Sequence, residues 1–544
     1  MSTIIAHRVT VATAVADGLR AAGIDTVFGL PGGENVHLME AMRQAGLRFV
    51  LSEHENAAAY MAGAASQLTR KPTACLTTLG PGAVNCVAGV AHAFLDRCPV
   101  LVLTAQMAPS LQHRHTHQLV DLHRLFGPIT KATLDVTPEG AATAIRDALR
   151  IATNGMPGPV HLQIPNDVAG LGTEQMDQVG ASPVVDDGPP PVPTADLARA
   201  AAGLAAAERP VVVVGLGLEP EGPYADLRAF AERLGAPVLA TPKAKGAFPA
   251  SHPLGSETLG LTRTDPGYDL IAEADRVIAV GMDVVEVVLP WSVEAPVLWI
   301  ASWYDTIGAA TAEQALIGPL GPTLADLTER LPESRSGWGA GRADHYRHMR
   351  QRRSHDAAAR ASAGVIAPQT VLNEARALLP DDTVIATDVG SHKILAALEW
   401  DAELPNRYLV SNGLSAMGFG PASAAGAALI GQGPVLCLTG DAGLLMCAGG
   451  LATLAQLETP VLMVVLVDGA LDLIRAHQRR SGAQPFGTEF PAPDVERIGA
   501  AFGLPSITVD TAASLRAELA RGLERRGASV IGVRIDPECY RGSF

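Results

Sequence analysis

Residues Val435 to His477 read VLCLTGDAGLLMCAGGLATLAQLETPVLMVVLVDGALDLIRAH. An apolar run, Val435 to Leu438, meets the tight turn Thr439-Gly440-Asp441-Ala442-Gly443. A helix-like segment follows, and a second apolar run, Val461 to Val467, ends in Asp468-Gly469-Ala470. Short apolar runs bounded by turn residues and joined by a crossover long enough for a helix form a strand, helix, strand unit of a parallel sheet. Each strand ends in an acid. Open α/β sheets bind ligands at that edge, and the first turn delivers backbone N–H groups at a helix N-terminus, where an anionic phosphate is stabilised. Two carboxylates brought side by side by one crossover supply the hard oxygen ligands that Mg²⁺ or Ca²⁺ prefers and leave positions for phosphate oxygens. The plainer reading makes Asp441 a helix cap and Asp468 the start of a turn. Because one unit carries both acids, both strands and the glycines, a metal-diphosphate anchor is the better reading.

Composition sets the bounds. At 544 residues the chain is too long for one core and suggests about three domains of ordinary size. A net charge of −15 argues against a nucleic-acid or anionic-membrane partner, since either needs a basic face. The six cysteines form no C-x-x-C pair and sit mostly in apolar segments, which argues against zinc and disulfides and fits a reducing cytosol. Residues 1 to 10, MSTIIAHRVT, lack the apolar core of a signal peptide, and no apolar run approaches the length of a membrane span. A soluble cytoplasmic protein is expected.

Outward from the anchor, residues 1–180 alternate helical and strand patterns: a helix from Val11 to Ala22, strands at Thr26 to Gly29, Thr73 to Thr78 and Val100 to Ala105, and a last strand in Gly158 to Val168. Glu55 precedes a small-residue helix, and Gly80-Pro81-Gly82 opens another through Asn85. Residues 181–195, ASPVVDDGPPPVPTA, have the Pro/Gly density of a linker. A middle block, 194–332, repeats strand-and-glycine punctuation, including Val211-Val212-Val213-Val214-Gly215-Leu216-Gly217, and suggests a Rossmann-like domain of six or so strands. Residues 331–365, with the basic stretch His345 to His355, read as a solvated linker helix. A third domain, 365–544, holds Asp388-Val389-Gly390-Ser391-His392, the loop Ser411 to Gly420, and the anchor, and closes with a strand from Val530 to Ile535. The fold class expected is α/β, as three doubly wound parallel-sheet domains.

With Gly440-Asp441 followed by Asp468, with His54-Glu55-Asn56, and with Met417 in its glycine loop, the chain resembles the thiamine diphosphate (ThDP) enzymes, in particular the acetolactate synthase branch. The resemblance covers essentially the whole chain. It implies a pyrimidine-binding domain, a middle domain and a diphosphate-binding domain, with ThDP and Mg²⁺ held between subunits of a homodimer or homotetramer. It implies that Glu55 hydrogen-bonds N1′ of the aminopyrimidine and so favours the tautomer whose 4′-nitrogen takes the proton from thiazolium C2. Met417 would wedge between the two cofactor rings. Further cofactor contacts are implied for Gly33, Asn85, Ser391, His392, Ser415, Asp441, Ala442, Gly443 and Leu473, and a metal shell for Asp441, Asp468 and Ala470. With Glu55, three further residues are implied to be catalytic: Gln118 reaching the active site, His117 as a candidate acid/base and His477 at a position that shapes the substrate pocket, whereas His113 and His115 read as solvated surface.

Departures from the family are as informative. Ala442 stands where the family has a second Gly, and Asp468 where it has Asn. Biosynthetic acetolactate synthases carry Lys at Asn166, an Arg within the segment Gly281 to Glu286, and Trp at His477. Lacking that Lys and Arg, the chain is expected to bind no FAD. The implied activity is decarboxylation of a 2-keto acid, pyruvate being the simplest, with carboligation onto a carbonyl acceptor. The alternatives are a simple decarboxylase of the benzoylformate type, a flavin-dependent pyruvate oxidase, and a non-catalytic homologue. Against the first, Thr78 stands where that enzyme has an active-site His; against the last, a dead paralogue has no need of Glu55.

Overall fold

A computed structural model of the chain describes residues 9–114, 116–173, 188–219, 221–262, 265–288, 293–304, 312–333, 337–431 and 433–542. His115 and the expected linker as far as 187 lie outside the described residues. The chain divides into two compact units, 1–187 and 188–544.

In the first unit, β1 (Thr26–Leu30), β2 (Arg48–Leu51), β3 (Thr73–Thr77), β4 (Val100–Gln106), β5 (Ala132–Asp135) and β6 (Val160–Pro165) form an all-parallel sheet in the order β2-β1-β3-β4-β6-β5. Its central strands β3 and β4 are buried at every position. That is why, Gln106 at the end of β4 apart, they are runs of apolar or small residues rather than alternating ones: helices cover both faces of a parallel sheet.

The second unit holds two more parallel sheets. One orders β7 (Pro210–Val214), β8 (Val238–Ala240), β9 (Gly255–Thr258), β10 (Arg276–Val280), β11 (Val297–Ala301) and β12 (Gln314–Ile317) as β12-β11-β10-β7-β8-β9. The other orders β13 (Val384–Thr387), β14 (Tyr408–Val410), β15 (Val435–Gly440), β16 (Val461–Val467), β17 (Ser506–Val509) and β18 (Ala528–Arg534) as β14-β13-β15-β16-β18-β17. The first and third sheets therefore share one topology, and the middle sheet has the Rossmann order. Each has a topological switch point, where successive connections leave in opposite directions and open a crevice at the C-terminal ends of the strands. The switch points lie between β1 and β3, β7 and β10, and β13 and β15.

The basic segment after 331 differs from expectation. Trp338–Ala358 is indeed a helix, but it is not simply solvated. Arg350, its side chain 11 % exposed, donates to the carbonyls of Leu398 and Glu399 at 3.3 and 3.1 Å and to Asp401 Oδ1 at 2.8 Å, with Glu257 Oε1 3.5 Å from its Nε. Beside it Lys245 Nζ donates to Thr258 Oγ1 and to the Ala397 carbonyl, both at 2.8 Å. These bonds tie the middle sheet to the third sheet, Arg350 through paired charge and Lys245 through neutral oxygens, and so satisfy cations that would be costly to hold away from water without partners. No helix among the described residues is long and apolar enough to cross a membrane.

Candidate active site

At the third sheet's switch point the chain leaves β15 directly into the helix Asp441–Met446. Asp441 is 1 % exposed, and its carboxylate receives three backbone N–H groups: Ala442 on Oδ1 at 2.8 Å, and Asp468 and Gly469 on Oδ2 at 3.1 and 2.7 Å. Asp441 thus locks the end of β15 to the turn after β16. Burial raises its pKa against the pull of those N–H groups. Asp468 follows β16 with its side chain 7 % exposed, and its Oδ2 is buried without a hydrogen-bond partner. Burial, then the Asp441 and Asp472 charges, push Asp468 up to about 7, while Arg475, 3.6 Å away, pulls it down.

The acids border a cavity of about 120 Å³ that Ser391, His392, Met417, Ala442, Gly443, Ala470, Leu473 and Ile474 also line. Ser391 opens the helix Ser391–Glu399, so free N–H groups face the same space. His392 is buried with Nε2 unpaired, and burial lowers it to about 4, so it is a neutral imidazole. A carboxylate oxygen that accepts no hydrogen bond, a second acid and a helix N-terminus in one crevice are the donor set of a divalent cation carrying a phosphate. Among the described residues no three His, Cys, Asp or Glu side chains converge as a metal cage. A cation here would complete its shell with a carbonyl and phosphate oxygens, as Mg²⁺ commonly does.

The glycine loop above the crevice is pinned by Asp388, the residue after β13. Fully buried, Asp388 accepts from Gly418 N on both oxygens at 2.9 and 3.1 Å and from Thr439 Oγ1 at 3.0 Å. This is what carries Met417 to the cavity wall. Ser415 lies in the same loop at φ 53°, exposed, its hydroxyl receiving Lys393 Nζ at 2.9 Å, and is not part of the lining. His477, on the helix Asp472–Arg480, is exposed and also outside the lining.

In the first unit Glu55 is the first residue of the helix Glu55–Thr69, not the residue before it, and is 6 % exposed. Asn85 Nδ2 donates to Glu55 Oε2 at 3.1 Å, and a Cβ built on Gly82 would lie 3.2 Å from Glu55 Oε1. Gln118, at φ 58°, packs on Gly80, whose Cβ would stand 2.7 Å from that of Gln118. Gln118, His117 and Gly33 are exposed. Glu55, Asn85, Gly82, Gly80 and Gln118 thus form one edge of the first sheet.

The middle switch point is filled from within. Leu216 N–H, in the turn after β7, donates to both oxygens of Glu286 at 2.9 Å, Asp283 N donates at 3.0 Å, and the Thr241 hydroxyl bonds Oε1. Glu286 is 0 % exposed, and burial pushes it up to about 8. Gly217 N donates to the Gly281 carbonyl at 2.6 Å, so the two turns meet across the crevice.

Asp388, Arg475 and Glu286 stand in stretches that the sequence singles out, but it assigns none of them a role of its own. Each is an ordinary-looking charge whose partners are brought together by the fold; for Arg475, the Asp472 three residues before it was an available signal.

Three family models match the chain: the N-terminal TPP binding domain of the thiamine pyrophosphate enzymes over 9–125, the central domain over 197–327, and the C-terminal TPP binding domain over 388–533. The acetolactate synthase large subunit of Parasynechococcus marenigrum (strain WH8102) is 31 % identical over 97 % of this chain and 88 % of its own. The chain belongs to the thiamine pyrophosphate enzyme family, in its acetolactate synthase-like branch. The acetolactate synthase isozyme 1 large subunit of Escherichia coli (strain K12) is 30 % identical, covering 98 % of this chain and 95 % of its own. A probable 2-ketoarginine decarboxylase of Pseudomonas aeruginosa is also 30 % identical, covering 94 % and 91 %.

Proposed function

We propose that the chain is a ThDP- and Mg²⁺-dependent enzyme that decarboxylates a 2-keto acid and joins the product to a carbonyl acceptor. The observation that carries this reading is the third-sheet crevice, where Asp441 and the Asp468 Oδ2, which accepts no hydrogen bond and has only Arg475 at 3.6 Å, close on a cavity at a switch point. When bound, ThDP supplies the electron sink for cleaving the bond beside the keto carbonyl. The chain's own residues do the rest. Asp441, Asp468 and the Ala470 carbonyl hold Mg²⁺. Ser391, His392, Ala442 and Gly443 seat the diphosphate, and His392 does so as a neutral donor. Met417 and Leu473 shape the cavity against water, while Ser415 contributes from the loop that carries Met417. Glu55, oriented by Asn85, holds a proton at N1′, and Gly33 lets the pyrimidine approach the turn after β1. His117, Gln118 and His477 face the substrate. The site assembles between subunits of a homodimer or homotetramer.

FAD is not part of this reading. Its support is that Glu286 already takes the N–H group that a nucleotide phosphate would use at the middle switch point. The relative named for 2-ketoarginine decarboxylation favours a second reading, plain decarboxylation without carboligation. One experiment separates them: the enzyme with ThDP and Mg²⁺ is offered a panel of 2-keto acids, with and without carbonyl acceptors, and CO₂ and coupled products are read by mass spectrometry. CO₂ with a coupled product is expected, CO₂ alone favours the second reading, and no CO₂ from any acid sinks both.

A further inference from the structure

The crevice between β1 and β3 carries an acid that neither the metal site nor the proton relay uses. Glu34 lies in the Gly33–Asn35 turn after β1, and Thr78 is the residue after β3. They stand across the switch point, and Thr78 Oγ1 donates to Glu34 Oε2 at 2.7 Å. The pair adjoins Glu55: a Cβ built on Gly82 would lie 2.7 Å from Thr78 Cγ2 and 3.2 Å from Glu55 Oε1. On the other side, a Cβ on Gly32 would lie 2.4 Å from Thr78 Oγ1 and 3.1 Å from Glu34 Oε2. Glu34 is half-buried, and among the described residues no Lys, Arg or His forms an ion pair with it. One hydroxyl orients a carboxylate without offsetting its charge, so Glu34 brings a net negative charge to the edge where this fold receives its ligand.

We propose that Glu34, held by Thr78, reads the charge of the substrate side chain. It favours a 2-keto acid whose far end is cationic, a guanidinium or an ammonium, and disfavours one ending in a second carboxylate. This rests on the 2-keto acid reading above and names its substrate class. The chemistry follows from the carboxylate: a guanidinium pairs with it through two parallel N–H bonds, and a second carboxylate meets a like charge in a crevice less polar than water. The rival explanation is that the Glu34–Thr78 bond only staples the turn to β3. Glu34→Gln separates the two, because an amide oxygen keeps the Thr78 bond while the charge is lost.

The test uses three 2-keto acids of matched length ending in a guanidinium, a methyl or a carboxylate. Dissociation constants are measured by calorimetry on enzyme loaded with Mg²⁺ and an unreactive ThDP analogue, and kcat/KM by CO₂ release from the ThDP-loaded enzyme. The wild type should prefer the cationic acid over the anionic one by about tenfold or more, and Glu34→Gln should bring the ratio to about twofold. Thr78→Val should lower it part-way by freeing the carboxylate. Glu40→Gln removes the same formal charge from a surface carboxylate paired with Arg43 Nε at 2.8 Å, and should leave the ratio as it is. An unchanged ratio in Glu34→Gln, or tighter binding of the anionic acid by the wild type, overturns the proposal while leaving the 2-keto acid reading intact. If none of the three acids binds or releases CO₂, both fall.

Discussion

Replacing Glu286 by Gln should make the pH dependence of stability flatter. Glu286 is fully buried at the middle switch point, and burial raises it from an ordinary 4.5 to about 8. A carboxyl raised on folding binds its proton more tightly in the folded state than in the unfolded one. The stability it contributes is therefore complete below 4.5 and is lost as pH rises through about 8. At about 1.4 kcal/mol per pH unit, the interval from pH 5.5 to 8.5 should cost the wild type about 3 kcal/mol, to order of magnitude. Gln has the same shape and no proton to lose: its oxygen can accept from Leu216 N–H and its amide can donate to Thr241 Oγ1. The assay is urea unfolding at the two pH values followed by tryptophan fluorescence, since three of the five tryptophans, Trp291, Trp299 and Trp303, belong to the middle segment, and a fourth, Trp338, donates its Nε1 to the Pro210 carbonyl at 3.1 Å. Glu286→Gln should gain about 3 kcal/mol on the wild type between the two pH values. A difference between the proteins that does not change with pH would refute the reasoning and return Glu286 to the role of an ordinary ionised cap.

Three further outcomes are expected. Asp441→Ala should abolish ThDP retention in Mg²⁺ on gel filtration, whereas Asp468→Asn should retain the cofactor; wild-type affinity in Asp441→Ala would remove Asp441 from the anchor. Glu55→Gln should keep much of the bound ThDP yet slow hydrogen–deuterium exchange at thiazolium C2 by about 10²- to 10⁴-fold, the usual worth of a positioned proton transfer; unchanged exchange would take Glu55 out of the relay. Purified protein should be colourless and turn over without added flavin, and a stoichiometric yellow chromophore required for activity would contradict the filled middle crevice.

What could be read in the sequence follows a physical division. β16 is the apolar run Val461 to Val467 at its full length, because a strand buried on both faces needs nothing but apolar residues and is bounded by turn formers. The helix at Pro81 and the strand at Val100 were legible for the same local reasons. The pairing of β15 with β16 was legible from their single crossover, but the rest of the sheet order was not, because the pairing of β15 with β13 is a contact between distant segments that no periodicity encodes. Arg350 is the clearest case. By composition its helix is polar and basic, and only the fold brings Glu257 and Asp401 to it and takes it out of water. Glu286 was hidden likewise: as one more acid after Gly-Met-Asp, it gave no sign that the Leu216 N–H of a turn 70 residues earlier would close on it.

The two departures from the family's metal motif have different physical weights. Ala442 is nearly silent, because its contribution is a backbone N–H to Asp441 Oδ1 and its methyl sits on a half-buried face of the cavity. The glycine that this turn cannot give up is the next one: a Cβ on Gly443 would lie 2.4 Å from Asp388 Oδ2 and 2.5 Å from Thr439 Oγ1, and would break the bonds that hold the Met417 loop. Asp468 is not silent. In place of an amide it adds a charge beside Asp441 and Asp472, and Arg475 answers it at 3.6 Å while bonding Asp472 at 2.9 Å. One guanidinium shared among Asp468, Asp472 and Glu489, the last at 3.7 Å, leaves the crevice negative. A divalent cation therefore meets stronger attraction here than an Asp and Asn pair would supply, while Asp472, bonded by Arg475 and by the Ser391 hydroxyl at 2.9 Å, adds a third carboxylate to the same cavity wall.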